Sequence, residues 1–308
     1  MRRLSRNVRF PGSLWRRPLS RESERGVLSL HEILWTSSAA DRSFLRANTA
    51  RVEVPSLRDM SLNLLDRTSE MNRYVCTSAS RSFTRFDSSV STCCSFTEDD
   101  IERSPLNGFP PFWAFLWPGG YGLTRLIQQN STAISSYNTT VVDIGCGCGS
   151  ASVAAVAAGA RVVLANDIDP LAILATAMNC AESGDGASSR VYGTTANCLA
   201  ASTAEFLDMV SQYEAATPLQ ASPPDTCQRV LLVGDMLYDG YIGPSVLKLI
   251  NGVLDQNWAV YIGDPGRDFA NKHLQHMRTD ILGEYELPAH IKMKNNGLSS
   301  VCVRRVYK

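Results

Sequence analysis

No run of eighteen apolar residues, the minimum for a membrane-crossing helix, occurs anywhere in this chain. The most apolar window, Ala151 to Ala165, is broken by Arg161 and reads as a buried helix and strand. Excess charge of either sign is also missing, because 30 basic residues balance 30 acidic ones. That balance gives no broad positive footprint for nucleic acid. Histidine is scarce, and His273, His276 and His290 show no ligand-like grouping. None of the nine cysteines stands in a Cys-x-x-Cys pair, so no metal is expected. Unpaired thiols of this kind fit a reducing intracellular compartment.

Acids are absent from the first stretch of the chain. Arg2, Arg3, Arg6, Arg9, Arg16, Arg17 and Arg21 all precede the first acid, Glu22. Arginine-rich, serine-containing and acid-free is the pattern of a mitochondrial transit peptide, whereas a secretory signal needs a continuous apolar core. Residues 1–40 are therefore expected to be a removable or disordered leader. Residues 41–107 are expected to form an N-terminal helical segment followed by a Ser/Thr-rich loop. Within it, SFLRANTARVEVPSLRDMSLNLL carries helical apolar spacing split by Pro55, which predicts a short helix, an extended turn and a second helix. Residues 108–308 form the expected catalytic domain, and a hydrophobic content of 44% supports a large core.

That last segment is where the pattern becomes specific. VVDIGCGCG, Val141 to Gly149, is an apolar run ending in Asp143 and a Gly-x-Gly-x-Gly turn. A small-residue helix follows, and then VVLANDID, Val162 to Asp169. Strand, glycine loop, helix, strand and acid is the order in which an open α/β sheet builds an adenosine-binding crevice. Gly145, Gly147 and Gly149 let a ligand approach the backbone, and Asp167 suits two ribose hydroxyls. The dinucleotide fingerprint needs its third glycine one residue later, where Ser150 stands. Asp143 would repel a pyrophosphate but suits the cationic amino-acid end of S-adenosylmethionine. The expected cofactor is therefore S-adenosylmethionine rather than a nicotinamide dinucleotide. Cys146 and Cys148 fit this turn as small residues.

The remaining elements follow in order. GFPPFWAFLWPGGYGLTRLI, from Gly108, predicts an aromatic segment and a helix from about Tyr121 to Gln129. Trp117 and the Pro-Gly-Gly backbone are candidates to roof the cofactor pocket, or simply to pack the core. Strands are expected at about 140–144, 161–166, 190–194, 229–234 and 258–263. Asp169-Pro170 makes a good helix start. Helices are expected at about 204–213, 246–254 and 271–281. The last two strands are expected at about 285–291 and 299–307, joined by the Asn-Gly turn within Lys294–Gly297. The fold class is thus a Rossmann-like α/β sheet of seven strands, mostly parallel with the last antiparallel. Helices cover both faces, and an N-terminal extension precedes it.

The chemistry is expected after the fourth strand, in GDMLYD, Gly234 to Asp239. Asp235 and Tyr238 are the candidate catalytic residues, because a carboxylate and a phenol can hold an amine and aim its lone pair. Asn197, after the third strand, is a candidate for the adenine edge. In GDPGR, Gly263 to Arg267, the turn is evident and Arg267 is expected to face an acidic patch on a partner.

PFWAFLWPGG, DIGCGCG, LANDIDP, LVGDMLYD and IGDPGR together resemble the seven-β-strand protein-lysine methyltransferases with an Asp-x-x-Tyr motif after strand 4. The resemblance runs from about Phe109 to the C-terminus. It is strongest to the mitochondrial branch acting on the beta subunit of electron transfer flavoprotein. It implies a matrix location and that subunit as protein partner. It also implies that Gly145, Gly147 and Gly149 wrap the methionine part of the cofactor, that Asp167 holds the ribose and that Ile168 packs on adenine. Asp235 and Tyr238 fall on the substrate-lysine motif. The stretch Ser78 to Ser104 and the loop Ala215 to Gln228 are longer than that pattern. Alternatives are a methyltransferase for another protein or a small nitrogen nucleophile, a non-catalytic cofactor-binding scaffold and, remotely, a nicotinamide-dependent oxidoreductase.

Overall fold

Four consecutive strands alternate their side chains between two separate cores, and that alternation sets the architecture. In the computed structural model, residues 28–54, 57, 60–66, 111–130, 138–182, 188–217, 227–292 and 298–308 are described. Strands β4 (Thr139–Ile144), β5 (Val162–Asn166), β7 (Gln228–Gly234) and β8 (Ala259–Asp264) form the centre of one sheet. Val141, Val163, Val230 and Tyr261 face one core, while Val142, Leu164, Leu231 and Val260 face the other. Near-continuous apolar runs are what strands covered on both faces require.

The sheet runs β6 (Val191–Thr194), β5, β4, β7, β8, β10 (Ser300–Tyr307), β9 (Arg278–Glu286). Strands β6, β5, β4, β7 and β8 are parallel neighbours, and β10 is antiparallel to both β8 and β9. A two-residue strand, β1 (Leu28–Ser29), adds to the free edge of β6. Strand order reverses between β4 and β7, so a crevice opens beyond their carboxyl ends.

Helices follow the expected order with shifted ends, except that α9 stands where the strand at about 285–291 was expected. They are α3 (Pro118–Gln129), α4 (Ser150–Ala157), α5 (Pro170–Glu182), α6 (Thr203–Ala216), α7 (Gly243–Leu254), α8 (Asp268–Leu274) and α9 (Ala289–Lys292). Pro118 and Pro170 stand at the first helical positions of α3 and α5, where the missing N–H costs nothing. Ser202 and Glu205 form a reciprocal capping box that fixes the start of α6.

Two expectations are corrected. Helix α8 ends at Leu274, and the penultimate strand starts at Arg278 rather than near 285. β-Branched and aromatic residues at Thr279, Ile281 and Tyr285 pair with β10 there. The second N-terminal helix is instead a hairpin, β2 (Thr49–Glu53) with β3 (Ser61–Leu65), following α2 (Ala39–Asn48). Leu62 and Leu64 of β3 are buried in the core, and Asn63 donates to Asn179 Oδ1 of α5 at 2.6 Å through its N–H. Alternation of buried positions in β3 overrode the helical spacing. Within the stretch 1–40, α1 (Leu30–Thr36) is helical and Leu30 is fully buried. The basic residues up to Arg21, the Ser78–Ser104 stretch and the Lys294–Gly297 turn lie outside the described residues.

Because Leu62 is fully buried in the same cluster as the central strands, Leu62→Ala should destabilise the whole fold by about 2–5 kcal/mol. Chemical denaturation should show one lowered midpoint rather than a separate early transition.

Candidate active site

The glycine turn is shaped by backbone need. Gly145, Gly147 and Gly149 have φ of 65°, 54° and 75°, in the left-handed region that side chains avoid. A Cβ on Gly147 would find nothing closer than 3.9 Å, where it meets the Phe112 carbonyl and Trp113 Cα. The aromatic segment therefore lies over the turn and leaves the backbone approachable. Trp117 precedes α3, donates from Nε1 to the Phe112 carbonyl at 2.8 Å, and packs edge-on against Phe112 and Phe115.

Two acids flank the turn. Asp143 is buried at the penultimate position of β4 and accepts a 2.7 Å hydrogen bond from Ser152 Oγ of α4. Burial pushes its carboxyl up to about 6, against the pull of Ser152. Asp167 follows β5 and accepts from the N–H of Gly147 at 3.1 Å and of Asp169 at 3.0 Å. Burial raises its carboxyl as well. Asn166 fixes this strand end by donating to the carbonyls of Thr194 and Ala196, at 3.0 and 2.8 Å. Ile168 stands 55% exposed beside Asp167, an apolar face without an internal partner surface. Asn197 is exposed in the loop after β6, where its Oδ1 accepts the Ala200 N–H at 3.2 Å. Cys146 and Cys148 are buried, and burial raises both thiols, Cys148 to about 11, so neither is a ready thiolate.

The second half of the site lies at the ends of β7 and β8. Asp235 is buried and takes φ of 55°, uncommon for a residue with a side chain. Its Oδ1 meets Arg267 Nε at 2.8 Å and Nη2 at 2.7 Å. Its Oδ2 accepts the N–H of Gly119 in the first turn of α3. That approach needs glycine: a Cβ on Gly119 would lie 2.3 Å from both the Asp235 N and the Gly263 carbonyl. Burial raises the Asp235 carboxyl, while the Arg267 charge and the Gly119 N–H pull it down. Tyr238, three residues on, is 40% exposed in the loop between β7 and α7. The pair thus divides into a fixed, buried carboxylate and a solvent-facing phenol.

Arg267 requires a correction. Expected to face a partner, it is 8% exposed and turned inward onto Asp235. Isolation of a buried carboxylate costs more than pairing it, so the guanidinium is drawn in. Sequence reading also missed Ser152 and Asn166 and the contact of Gly119 with Asp235. The Pro-Gly-Gly signal was visible, but its docking against two glycines of other strands, Gly234 and Gly263, was not.

The residues present fit S-adenosylmethionine. An approachable glycine turn, a carboxylate with acceptor capacity for two hydroxyls and an exposed apolar side chain meet at one sheet edge. The comparisons agree. A family profile described as ribosomal protein L11 methyltransferase (PrmA) matches residues 119–232. The electron transfer flavoprotein beta subunit lysine methyltransferase of Danio rerio is 33% identical over 214 residues, covering 69% of this chain and 71% of that protein. Its Mus musculus counterpart is 32% identical, covering 68% and 71%. The Caenorhabditis elegans homolog is 32% identical, covering 63% and 77%. The chain belongs to the electron transfer flavoprotein beta subunit lysine methyltransferase family, and it is an S-adenosylmethionine-dependent methyltransferase.

The buried Asp143 yields a test with a definite sign. Its folded-state value, about 6, lies above the ordinary 3.8, so its contribution to stability is lost as pH rises through about 6. Asp143→Asn keeps an acceptor for Ser152 and removes the charge. It should stabilise the unliganded protein at pH 7–8 by about 2–3 kcal/mol, with little effect at pH 4. Thermal melts at the two pH values, without cofactor, check this.

Proposed function

We propose that the chain methylates lysine side chains of the electron transfer flavoprotein beta subunit in the mitochondrial matrix. The observation that carries the chemistry is the Asp235 carboxylate, fixed on two sides at the carboxyl edge of the sheet. A carboxylate offers about four lone-pair positions. Arg267 Nε, Arg267 Nη2 and Gly119 N–H occupy three of them. One position on Oδ2 is left for an incoming amine. The loop carrying Asp235 also exposes Tyr238, whose hydroxyl is a second partner for the same nitrogen.

S-adenosylmethionine supplies an electrophilic methyl group when bound. Gly145, Gly147 and Gly149 would hold its methionine end, with Asp143 behind the turn. Asp167 would hold the ribose and Ile168 the adenine face, with Asn197 at the adenine edge and Trp117 above. The amine must arrive neutral, since an ammonium has no lone pair, and lysine starts near ~10.4. Partial desolvation at the mouth lowers that value, whereas an ionised Asp235 raises it. Orientation is therefore the first role of Asp235 and proton acceptance the second. Alignment of a nucleophile in this manner contributes about 7–11 kcal/mol.

The substrate assignment is supported by the names of the relatives. The matrix assignment is supported by the acid-free, arginine-rich start of the chain.

Two outcomes are expected. Asp167→Ala should weaken S-adenosylmethionine binding by about 1.5–3 kcal/mol in calorimetry, the value of hydrogen bonds to a charged group. Unchanged affinity would remove the ribose assignment. With labelled cofactor and recombinant electron transfer flavoprotein, the full chain should label beta-subunit lysines. Asp235→Ala should not, while keeping cofactor affinity within about tenfold, or ~1.4 kcal/mol. Label on other proteins or small amines alone would discard the target and keep the activity.

A further inference from the structure

The Asp-Pro-Gly-Arg turn after β8 is built to deliver one side chain. Asp264 Oδ1 accepts the N–H of Gly266 at 2.7 Å and of Arg267 at 2.8 Å. Gly266 takes φ of 92°, open to glycine alone among ordinary residues, and reverses the chain. Arg267 then lies extended, at φ −66° and ψ 146°, on the boundary of α8. From there its guanidinium reaches the neighbouring strand end and meets Asp235 Oδ1 through both Nε and Nη2.

The charges in this array are uneven. Asp235, Asp264 and Arg267 are all buried; the guanidinium pairs with Asp235, whereas Asp264 takes the Arg267 backbone N–H. Asp264 Oδ2 is buried and has no hydrogen-bond partner. The groups that face Asp235 are Arg267 from the α8 boundary, Asp264 from β8 and the Gly119 N–H from α3. Arg267 and the Gly119 N–H favour the ionised carboxylate, against burial. Burial, and then the charge of Asp235, hold Asp264 itself up at about 6.

We infer that Arg267 is a positioning residue of the transfer site, aimed by the Asp264 turn so that its fork holds the Asp235 carboxylate charged and in one orientation. Arg267 acts through Asp235 and does not itself touch the substrate. Its planar guanidinium matters as well as its charge, because it brings two nitrogens, Nε and Nη2, onto one oxygen, Oδ1, where a lysine ammonium would bring one. Asp264 sets the turn that aims it. This inference rests on the reading that Asp235 engages the incoming amine.

The test compares full-length wild type, Asp235→Ala, Arg267→Lys, Arg267→Met and Asp264→Asn. It reads kcat and kcat/KM against pH on the flavoprotein, with cofactor affinity by calorimetry. Deprotonation of the substrate amine is common to all variants, so differences in the acid limb report Asp235. Arg267→Met should move that limb to higher pH by about one unit, the usual effect of losing a close opposite charge. Asp264→Asn preserves the acceptor for the turn and removes a carboxyl that is still neutral while Asp235 titrates, so it should leave the limb in place. Arg267→Lys should leave the limb near its wild-type place but lower kcat about tenfold, or ~1.4 kcal/mol, because one of the two charge-assisted contacts to Oδ1 is lost. Cofactor affinity should stay within about threefold, or ~0.65 kcal/mol, in all three. Should Arg267→Met fail to fold, Arg267→Lys still decides. An acid limb unmoved in Arg267→Met, or full kcat in Arg267→Lys, overturns the inference alone. Full turnover by Asp235→Ala overturns the site reading and this inference with it.

Discussion

A carboxylate and a guanidinium taken out of water together, at adjoining strand ends, are the interaction on which the rest of this site depends. Asp235 and Arg267 come from loops after β7 and β8, and Gly119 brings the positive end of α3 onto the same carboxylate. Three elements far apart in sequence are thereby locked at the mouth of one crevice. Removal of one partner from such a buried pair costs about 3–5 kcal/mol, because the other charge is left uncompensated. The lock works only at very close range. Gly119, Gly234 and Gly263 meet backbone to backbone, and a methyl group at Gly119 would collide with main-chain atoms. The glycines, the arginine and the acid are therefore one device.

The cofactor half obeys a different rule. Asp143 and Asp167 are carboxylates that the fold has desolvated without giving either a cationic side chain among the described contacts. Hydrogen bonds from Ser152 and from backbone N–H groups offset only part of that cost. Stability is thus held back at neutral pH in favour of a pocket suited to a cationic ligand. Such a compromise is common where a site's needs and the fold's needs diverge.

The central sheet was legible in the sequence for a simple reason. Strands β4, β5, β7 and β8 are buried on both faces, so each carries a near-continuous apolar run, and glycines and polar residues mark where each ends. The left-handed turn at Gly145, Gly147 and Gly149 and the strand end before Asp167 were legible because local chain geometry fixes them. The hairpin of β2 and β3 was not legible. Its apolar residues satisfy helical spacing as well as alternation, and only its contact with α5 selects the strand. Arg267 was misplaced for a related reason. Its partner is 32 positions away, and nothing local tells a buried arginine from an exposed one. Sequence pattern shows where the chain turns, whereas packing decides which way a long side chain points.

The account rests on one spatial claim: the cofactor half and the amine half share a single crevice at the carboxyl edge. A crystal structure of the full chain with S-adenosylhomocysteine tests it most directly. The account predicts ribose hydroxyls on the Asp167 carboxylate, adenine against Ile168, and the sulfur turned toward the loop of Asp235 and Tyr238. A ribose held elsewhere, or a sulfur facing away from that loop, would contradict it.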